Sequence, residues 1–426
     1  NGSVMGIEGI ISPCGKVFGR MGHPERFEEG LFQNVPGVEV MNIFKNGVEY
    51  FNEVKNKLTI LLLIMFNSLF GQKETTIKSY DDFWNWFLKN EKTFFDIVKN
   101  NKDIEKNFLD KISPKLDEMK DGFWYLTGMY DENTVELIIT ADGYAKNIVF
   151  VEELIEKAPE IKGWKFTALK PAMELDKYGI NMGDYKFNGE NLFFYANEHA
   201  EYPDEIDISI VHSDLTNDNR SEISNGIYIF LDNYLGELSF LNDIDNLNYI
   251  AENEADKELI PISKLKEFIH WRQKEFVEKY DAIRYNTKND NYSLMEAELN
   301  SGNKFIATIN SQLLNWDSKP SHPWIVVLTI KYDGSGRNGM PDNEDYQKLN
   351  QIEDDIIKEL KEVDGYLNIG RQTAESEREI YFACKDFRKP AKVLFEIQKK
   401  YSGQFAMDYD IYKDKYWRSF ERFVPD

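Results

Sequence analysis

Cysteine is nearly absent. Cys14 and Cys384 are the two in 426 residues, which excludes a disulfide framework and any cysteine-built zinc module. Histidine is almost as scarce: His23, His199, His212, His270 and His322 stand singly, with no pair at helical spacing. Neither a metal centre nor a cofactor is expected from such a composition. Positive charge is in deficit, with 51 Lys and Arg against 74 Asp and Glu, a net charge of −23 and a pI near 4.8. Most of that surface would repel a phosphate backbone, so nucleic acid is not an expected partner. Long apolar runs are missing too. The longest, residues 58–70, is well short of the roughly 20 residues of a spanning helix, and no stable membrane span is expected. No repeat of solenoid period is visible.

What is present is enough apolar material, 42% of the chain, for the two or three domains expected at roughly 150 residues each. Three segments differ in character. Residues 1–51 carry glycine at positions 2, 6, 9, 15, 19, 22, 30, 37 and 47, a density that marks tight turns at the loop-rich edge of an α/β domain. The pattern is already under way at Asn1 and reads as a fragment whose upstream domain is missing.

Residues 54–72 form the second segment. Lys55 and Lys57 precede the apolar run and Gly71 follows it, the order found in a secretory signal peptide. Leu69 is a poor residue two before Gly71, and the other reading is a buried core helix. Valine codons can serve as bacterial starts. Translation beginning near Val54 would make the product exported or periplasmic, whereas the continuous chain would be cytoplasmic.

The third segment, from Tyr80 onward, alternates helix and strand patterns and reads as α+β. Phe83, Trp84, Phe87, Phe94, Phe95 and Val98 recur at three and four within a helical stretch, residues 81–120, and the aromatics Phe83, Trp84, Trp86 and Phe87 read as helix core rather than as a ligand cage. Strands are expected at 124–130, 135–140, 164–169, 192–196 and 206–211. Helices are expected at 147–158, 220–235 and 263–280, the last introduced by Pro261 and capped by Ser263. Residues 80–300 thus read as one α+β domain. In 304–426 the strand 324–332, helix 342–363, strands 366–373 and 379–385, helix 391–400 and strand 404–411 follow in the order βαββαβ. That is the ferredoxin-like arrangement.

The string Ser12-Pro-Cys-Gly-Lys-Val-Phe-Gly-Arg-Met-Gly-His-Pro-Glu-Arg26, with Leu31, Phe32, Asn34, Gly37, Ile43 and Phe44 downstream, resembles the C-terminal end of the class I glutamine amidotransferase domain of phosphoribosylformylglycinamidine synthases. The resemblance covers residues 1–51. It implies glutamine-dependent amide transfer in purine biosynthesis, in which a cysteine thiolate attacks the glutamine amide. By the same resemblance His23 is the general base and Glu25 its orienting acid. Pro24 biases His23 towards extended backbone, where residues two apart share a side. Cys14 falls in a variable turn of the family, so the nucleophile is expected outside this chain and the triad is incomplete.

Gly339-Met-Pro-Asp-Asn-Glu344, Ile352-Glu-Asp354, Gly370-Arg-Gln-Thr373 and Arg378-Glu-Ile-Tyr-Phe382, with Trp417, Phe420 and Pro425, resemble the bacterial domain-of-unknown-function family 695. Ile138-Ile-Thr-Ala-Asp-Gly143 and Leu231-Asp-Asn-Tyr-Leu-Gly-Glu237 resemble the region that precedes that domain in longer members, so the resemblance spans 80–426. It brings no activity and no catalytic residues. The chain therefore reads as an acidic binding or regulatory module joined to a non-functional amidotransferase tail; the alternative is a part of the synthase whose nucleophile lies elsewhere.

Within the body, Asp204, Asp207, His212, Asp214 and Asp218 read as a solvated strand edge and a helix start rather than a metal site. His322 before Pro323 reads as a turn device, and residues 334–339 as a strand-to-helix loop without phosphate-loop spacing. Arg371, Thr373, Glu377 and Arg378 bracket a hairpin of a sheet with one face expected to be uncovered. A protein partner is expected on that C-terminal sheet face.

Overall fold

The computed structural model describes residues 9–11, 18–20, 76–175 and 178–424, and the chain divides into two compact units, Asn1–Thr75 and Thr76–Asp426. In the first, β1 (Gly9–Ile11) pairs antiparallel with β2 (Phe18–Arg20). His23, Glu25, Cys14 and the apolar segment 54–72 lie outside the described residues.

The second unit opens with the aromatic helix α1 (Tyr80–Lys99). Ser79 caps it, its side chain accepting from the Asp82 N–H at 3.2 Å, and Asp81 and Asp82 sit at the positive end of the helix dipole. Phe83, Trp84, Phe87 and Phe94 are buried, as their spacing predicts. After α2 (Asp110–Asp117) come β3 (Trp124–Asp131), β4 (Thr134–Thr140), α3 (Ala145–Glu156) and β5 (Trp164–Ala168). β3 and β4 are antiparallel, β4 and β5 parallel across α3. The aromatic stripe of α1 packs on this sheet, with Trp84 4.6 Å from Phe166 and Phe87 4.9 Å from Trp164 between ring centroids.

Next are β6 (Ile180–Met182), β7 (Tyr185–Phe187), β8 (Leu192–Asn197), β9 (Asp207–His212), α4 (Arg220–Leu235), α5 (Glu237–Asp243), β10 (Asn246–Ala251), β11 (Ile260–Pro261) and α6 (Leu265–Tyr280). A four-stranded sheet runs β10-β9-β8-β11. Strand β9 is therefore central and buried along its whole length, which corrects the solvated edge expected there. Ser263 is not the cap of α6: residues Ile262–Lys264 form a 3₁₀ turn, and no side chain caps the helix that follows.

The remaining elements are β12 (Tyr292–Glu298), β13 (Lys304–Asn310), α7 (Ser311–Leu314), β14 (Trp324–Lys331), α8 (Asn343–Glu359), β15 (Tyr366–Ala374), β16 (Glu377–Cys384), α9 (Arg388–Tyr401) and β17 (Ala406–Lys413). The sheet order β12-β13-β15-β16-β14-β17 contains the expected ferredoxin-like set β15-β16-β14-β17, all antiparallel. The hairpin β12–β13 extends it to six strands. Helices α8 and α9 cover one face through Leu349, Ile352, Ile356, Leu394 and Ile397. The opposite face was expected to be uncovered and is not. Trp417, Phe420 and Phe423 of the C-terminal turn, with Leu313 and Leu314, pack there on Ile309, Ile325, Leu367, Ile369 and Tyr381.

The core beneath α8 and α9 is continuous with that of α1 and α3. Phe150 meets Phe395 at 4.9 Å, and Arg388 grips both oxygens of Glu152 at 2.7 and 2.8 Å. Such a bidentate pair fixes orientation as well as distance.

Candidate functional site

Several charged residues picked out by the sequence are consumed by the fold. His212 donates from Nε2 to the Lys186 carbonyl at 2.8 Å and accepts at Nδ1 from the Asp214 N–H at 3.1 Å, so both ring nitrogens hold main chain. Asp204 accepts from Lys279, from Tyr280 at 2.7 Å and from Tyr416 at 2.8 Å. Asp214 and Asp218 are exposed. Among the described residues no group of three or more His, Cys, Asp or Glu is placed to hold a metal. The Cys384 thiol is fully buried and pushed up by burial, which makes it unreactive.

Two of the sequence motifs meet each other. Glu237 is 1% exposed and accepts from Thr140 Oγ1 and from the N–H groups of Ala141, Gly143 and Lys170 at 3.1, 3.0 and 3.1 Å. Lys170 Nζ bridges Asp142 at 2.8 Å and Asp232 at 2.6 Å. The motif ending in Gly143 and the motif ending in Glu237 thus form one clasp between the ends of β4 and β5 and the junction of α4 and α5. Both Glu237 oxygens are occupied, each by two donors, so the clasp is structural.

The C-terminal motifs converge differently. Residues Asn368 and Gly370 of β15 oppose consecutive residues Phe382 and Tyr381 of β16, leaving Ile369 as the extra residue of a bulge. A bulge changes which face the following side chain meets. Here it puts Arg371, opposite Ile380, on the same helix-covered face as Asn368, opposite Phe382. Gly370 has φ +136°, and a Cβ there would lie 2.1 Å from the Thr308 carbonyl oxygen, so the bulge requires glycine.

From α8, Asn350 and Glu353 stand one turn apart and face these residues. Glu353 Oε2 accepts from Arg371 Nη1 at 2.6 Å and Oε1 from Asn368 Nδ2 at 3.3 Å. Behind them Arg378, 1% exposed, donates from Nε to Thr373 Oγ1 at 3.0 Å and from Nη1 to Asn350 Oδ1 at 2.9 Å. Its guanidinium lies over Tyr346 at 5.2 Å. Burial, with Arg371 nearby, pushes its pKa down from 12.5 to about 10. Above this network opens a cleft of about 790 Å³, with Ile357, Leu360, Val363, Tyr366 and Phe382 among its walls and Glu353, Asn368 and Arg371 among its polar lining.

A second pocket, of about 460 Å³, lies at the start of β9 and is lined by His199, Asp207, Tyr202, Phe268 and Trp271 among others. His199 Nε2 is 2.8 Å from Asp207 Oδ2. Asp207 is buried, and its Oδ1 accepts from the amides of Asn197 and Asn248 at 2.8 and 2.9 Å. This is an imidazole oriented by a carboxylate that is itself held. The pairing escaped the sequence reading, which counted His199 as isolated and Asp207 as solvated. Asn197 lies opposite Asp207 across the β8–β9 pair, but His199 lies beyond β8, where strand period gives no signal.

Comparison with known proteins follows the two resemblances. No curated protein and no solved structure matches the chain. The cleft over Glu353 and Arg371, apart from Thr287 at its rim, falls within residues 290–424, which match the model of a family of unknown function (DUF695), while residues 1–51 match that of a CobB/CobQ-like glutamine amidotransferase domain.

Proposed function

We propose that residues 76–424 form a binding module whose ligand enters the cleft over Glu353 and Arg371. One observation carries the reading: an ion pair with little exposure lies at the base of an open cleft, on a bulge that only glycine can make. A pair with one buried partner, Glu353, and one partly exposed, Arg371, contributes little to stability, so its place under a cleft favours recognition. The cleft offers walls and orienting groups without a nucleophile paired to a base, which favours binding over turnover. Because residues 73–426 hold 45 basic and 67 acidic side chains, a net of −22, a basic or neutral protein is a better macromolecular partner for the module than nucleic acid. Its docking is assigned to the cleft side, since the opposite sheet face is occupied. The test is a fragment screen by thermal shift on the wild type and on Ile357→Trp, which fills the cleft. Hits lost in the variant support the reading; hits that all survive the substitution oppose it.

In this proposal residues 1–51 contribute no turnover on their own. His23 and Glu25 would serve purine-pathway amide transfer only with a thiolate other than Cys14. Glutamate release from glutamine by residues 1–426, above a His23→Ala control, would overturn that part.

A second reading, acid–base catalysis in the other pocket, is favoured by the held His199–Asp207 pair. It predicts turnover in a broad hydrolase screen that is abolished by His199→Ala and unaffected by Ile357→Trp.

A further inference from the structure

The charges beneath the cleft do not balance. Arg371 and Arg378 lie near one carboxylate, Glu353, which pairs directly only with Arg371. Among the described residues Arg378 has no carboxylate within ion-pair distance. Its two hydrogen bonds go to the neutral Thr373 and Asn350. Taking a guanidinium out of water without a counter-charge is costly, and this one is 1% exposed in a body whose overall charge is strongly negative. Arg378 does not itself line the cleft, so a ligand anion would meet this pair of guanidiniums through Arg371, with Arg378 adding its charge from behind.

The donors are placed for it. Arg371 lines the cleft, is partly exposed, with a side-chain accessibility of 29%, and spends Nη1 on Glu353, while its Nε and Nη2 have no hydrogen-bond partner among the described residues. Asn350 accepts from Arg378 through Oδ1, which directs its Nδ2 donors elsewhere, and it also lines the cleft. Planar guanidinium donors suit two-oxygen anions, carboxylate or phosphate. Beside them lie the apolar walls Ile357, Val363 and Phe382. Glu353, Asp354 and Glu362 also line the cleft. Glu353 is already engaged by Arg371 and Glu362 accepts from the Thr287 N–H at 3.2 Å; with Asp354 they outnumber Lys361 and Arg371 in the lining, so the anion is placed by the donors of Arg371 and Asn350 and not by the net charge of the walls.

Resting on the reading of this cleft as the ligand site, we infer that it takes an organic anion: an apolar body against Ile357 and Val363, with a carboxylate or phosphate monoester on Arg371 and Asn350.

The test uses the full chain and a pair of probes of equal shape, phenylacetate and its neutral counterpart phenylacetamide, with phenyl phosphate as the second anion. Dissociation constants are measured by ligand-observed NMR on the wild type, Arg371→Gln and Ile357→Trp. A charged hydrogen bond should favour phenylacetate over phenylacetamide by about tenfold or more. Arg371→Gln should erase that preference, and Ile357→Trp should abolish both. Tighter binding of phenyl phosphate than of phenylacetate assigns the group to phosphate, and the reverse order to carboxylate. Equal affinity for phenylacetate and phenylacetamide overturns the anion inference while leaving the cleft as a ligand site. Binding untouched by Ile357→Trp, or none of any probe, overturns the cleft reading as well. The wild-type ratio needs no variant to fold.

Discussion

Glu237 receives four donors from two polypeptide segments, so its neutral amide should be a poor substitute. Glu237→Gln keeps one acceptor oxygen and brings two donors of its own, leaving buried N–H groups unpaired at a cost of about 2–4 kcal/mol, readable as a lower urea midpoint with an unchanged slope. His322 makes a prediction in pH. It is fully buried, and burial, aided by Lys385 and Arg284, pulls its pKa from 6.5 down to about 3. The unfolded chain takes up this proton below about pH 6.5 and the folded chain only near pH 3. Stability from this residue is therefore complete above 6.5 and is lost as pH falls, by up to about 1.4 kcal/mol per unit. His322→Gln should flatten the pH dependence of urea unfolding between 6.5 and 4; an unchanged slope would show the ring is solvated in the folded state. At this scale the sequence was partly legible. Glu353, Arg371 and Arg378 stood in its distinctive strings, yet only the bulge at Gly370 brings Asn368 and Arg371 to one face, and strict alternation would have separated them. Period two places Asp207 opposite Asn197, but His199 lies past the end of β8, in irregular backbone whose path the sequence does not show.

The βαββαβ unit was legible as elements because each has an unmixed period: residues 324–331 are a run of strand formers, and Leu349, Ile352 and Ile356 recur at three and four. The hairpin β12–β13 was not read. Its outer strand is largely exposed, with Leu294 and Tyr292 bare, so the sequence there lacks the buried alternation that marks a strand. The cover on the second sheet face was invisible for another reason. Trp417, Phe420 and Phe423 recur at three over a short 3₁₀ helix, Arg418–Phe423, and its N-cap Trp417, too short to announce a layer. Trp417 is 2% exposed and its indole N–H donates to the His322 carbonyl at 2.9 Å. Trp417→Ala should cost about 3–5 kcal/mol and expose the sheet face to a hydrophobic dye. Stability within about 1 kcal/mol of the wild type would show that this turn does not cover the face it packs on.

For the whole chain, the question is what must be present for the body to fold. The buried residues of the main core come from 77–169 and from 324–411 together, with α3 docked on α9 through Phe150, Phe395 and the Arg388–Glu152 pair. Between these stretches, Lys413 and Lys415 reach back to the buried carboxylate of Asp245 at 2.7 and 2.6 Å. Burial, with Lys413 beside it, pulls the Lys415 pKa down to about 8. Segments distant in sequence thus share cores and buried charges, and a cut inside 76–424 would expose both. A buried ion deprived of its partner costs about 3–5 kcal/mol, a large part of the stability of an ordinary domain. Residues 76–426 are therefore expected to fold alone and to melt in a single cooperative transition, at the temperature of the same transition in 1–426. Residues 76–300, lacking the partners of Asp245 and half of the main core, should not reach a native fold. Circular dichroism and calorimetry on the three chains decide it. Two separate transitions in 76–426, or a cooperative melt of 76–300, would show that the shared core and the Asp245 cluster do not couple these segments.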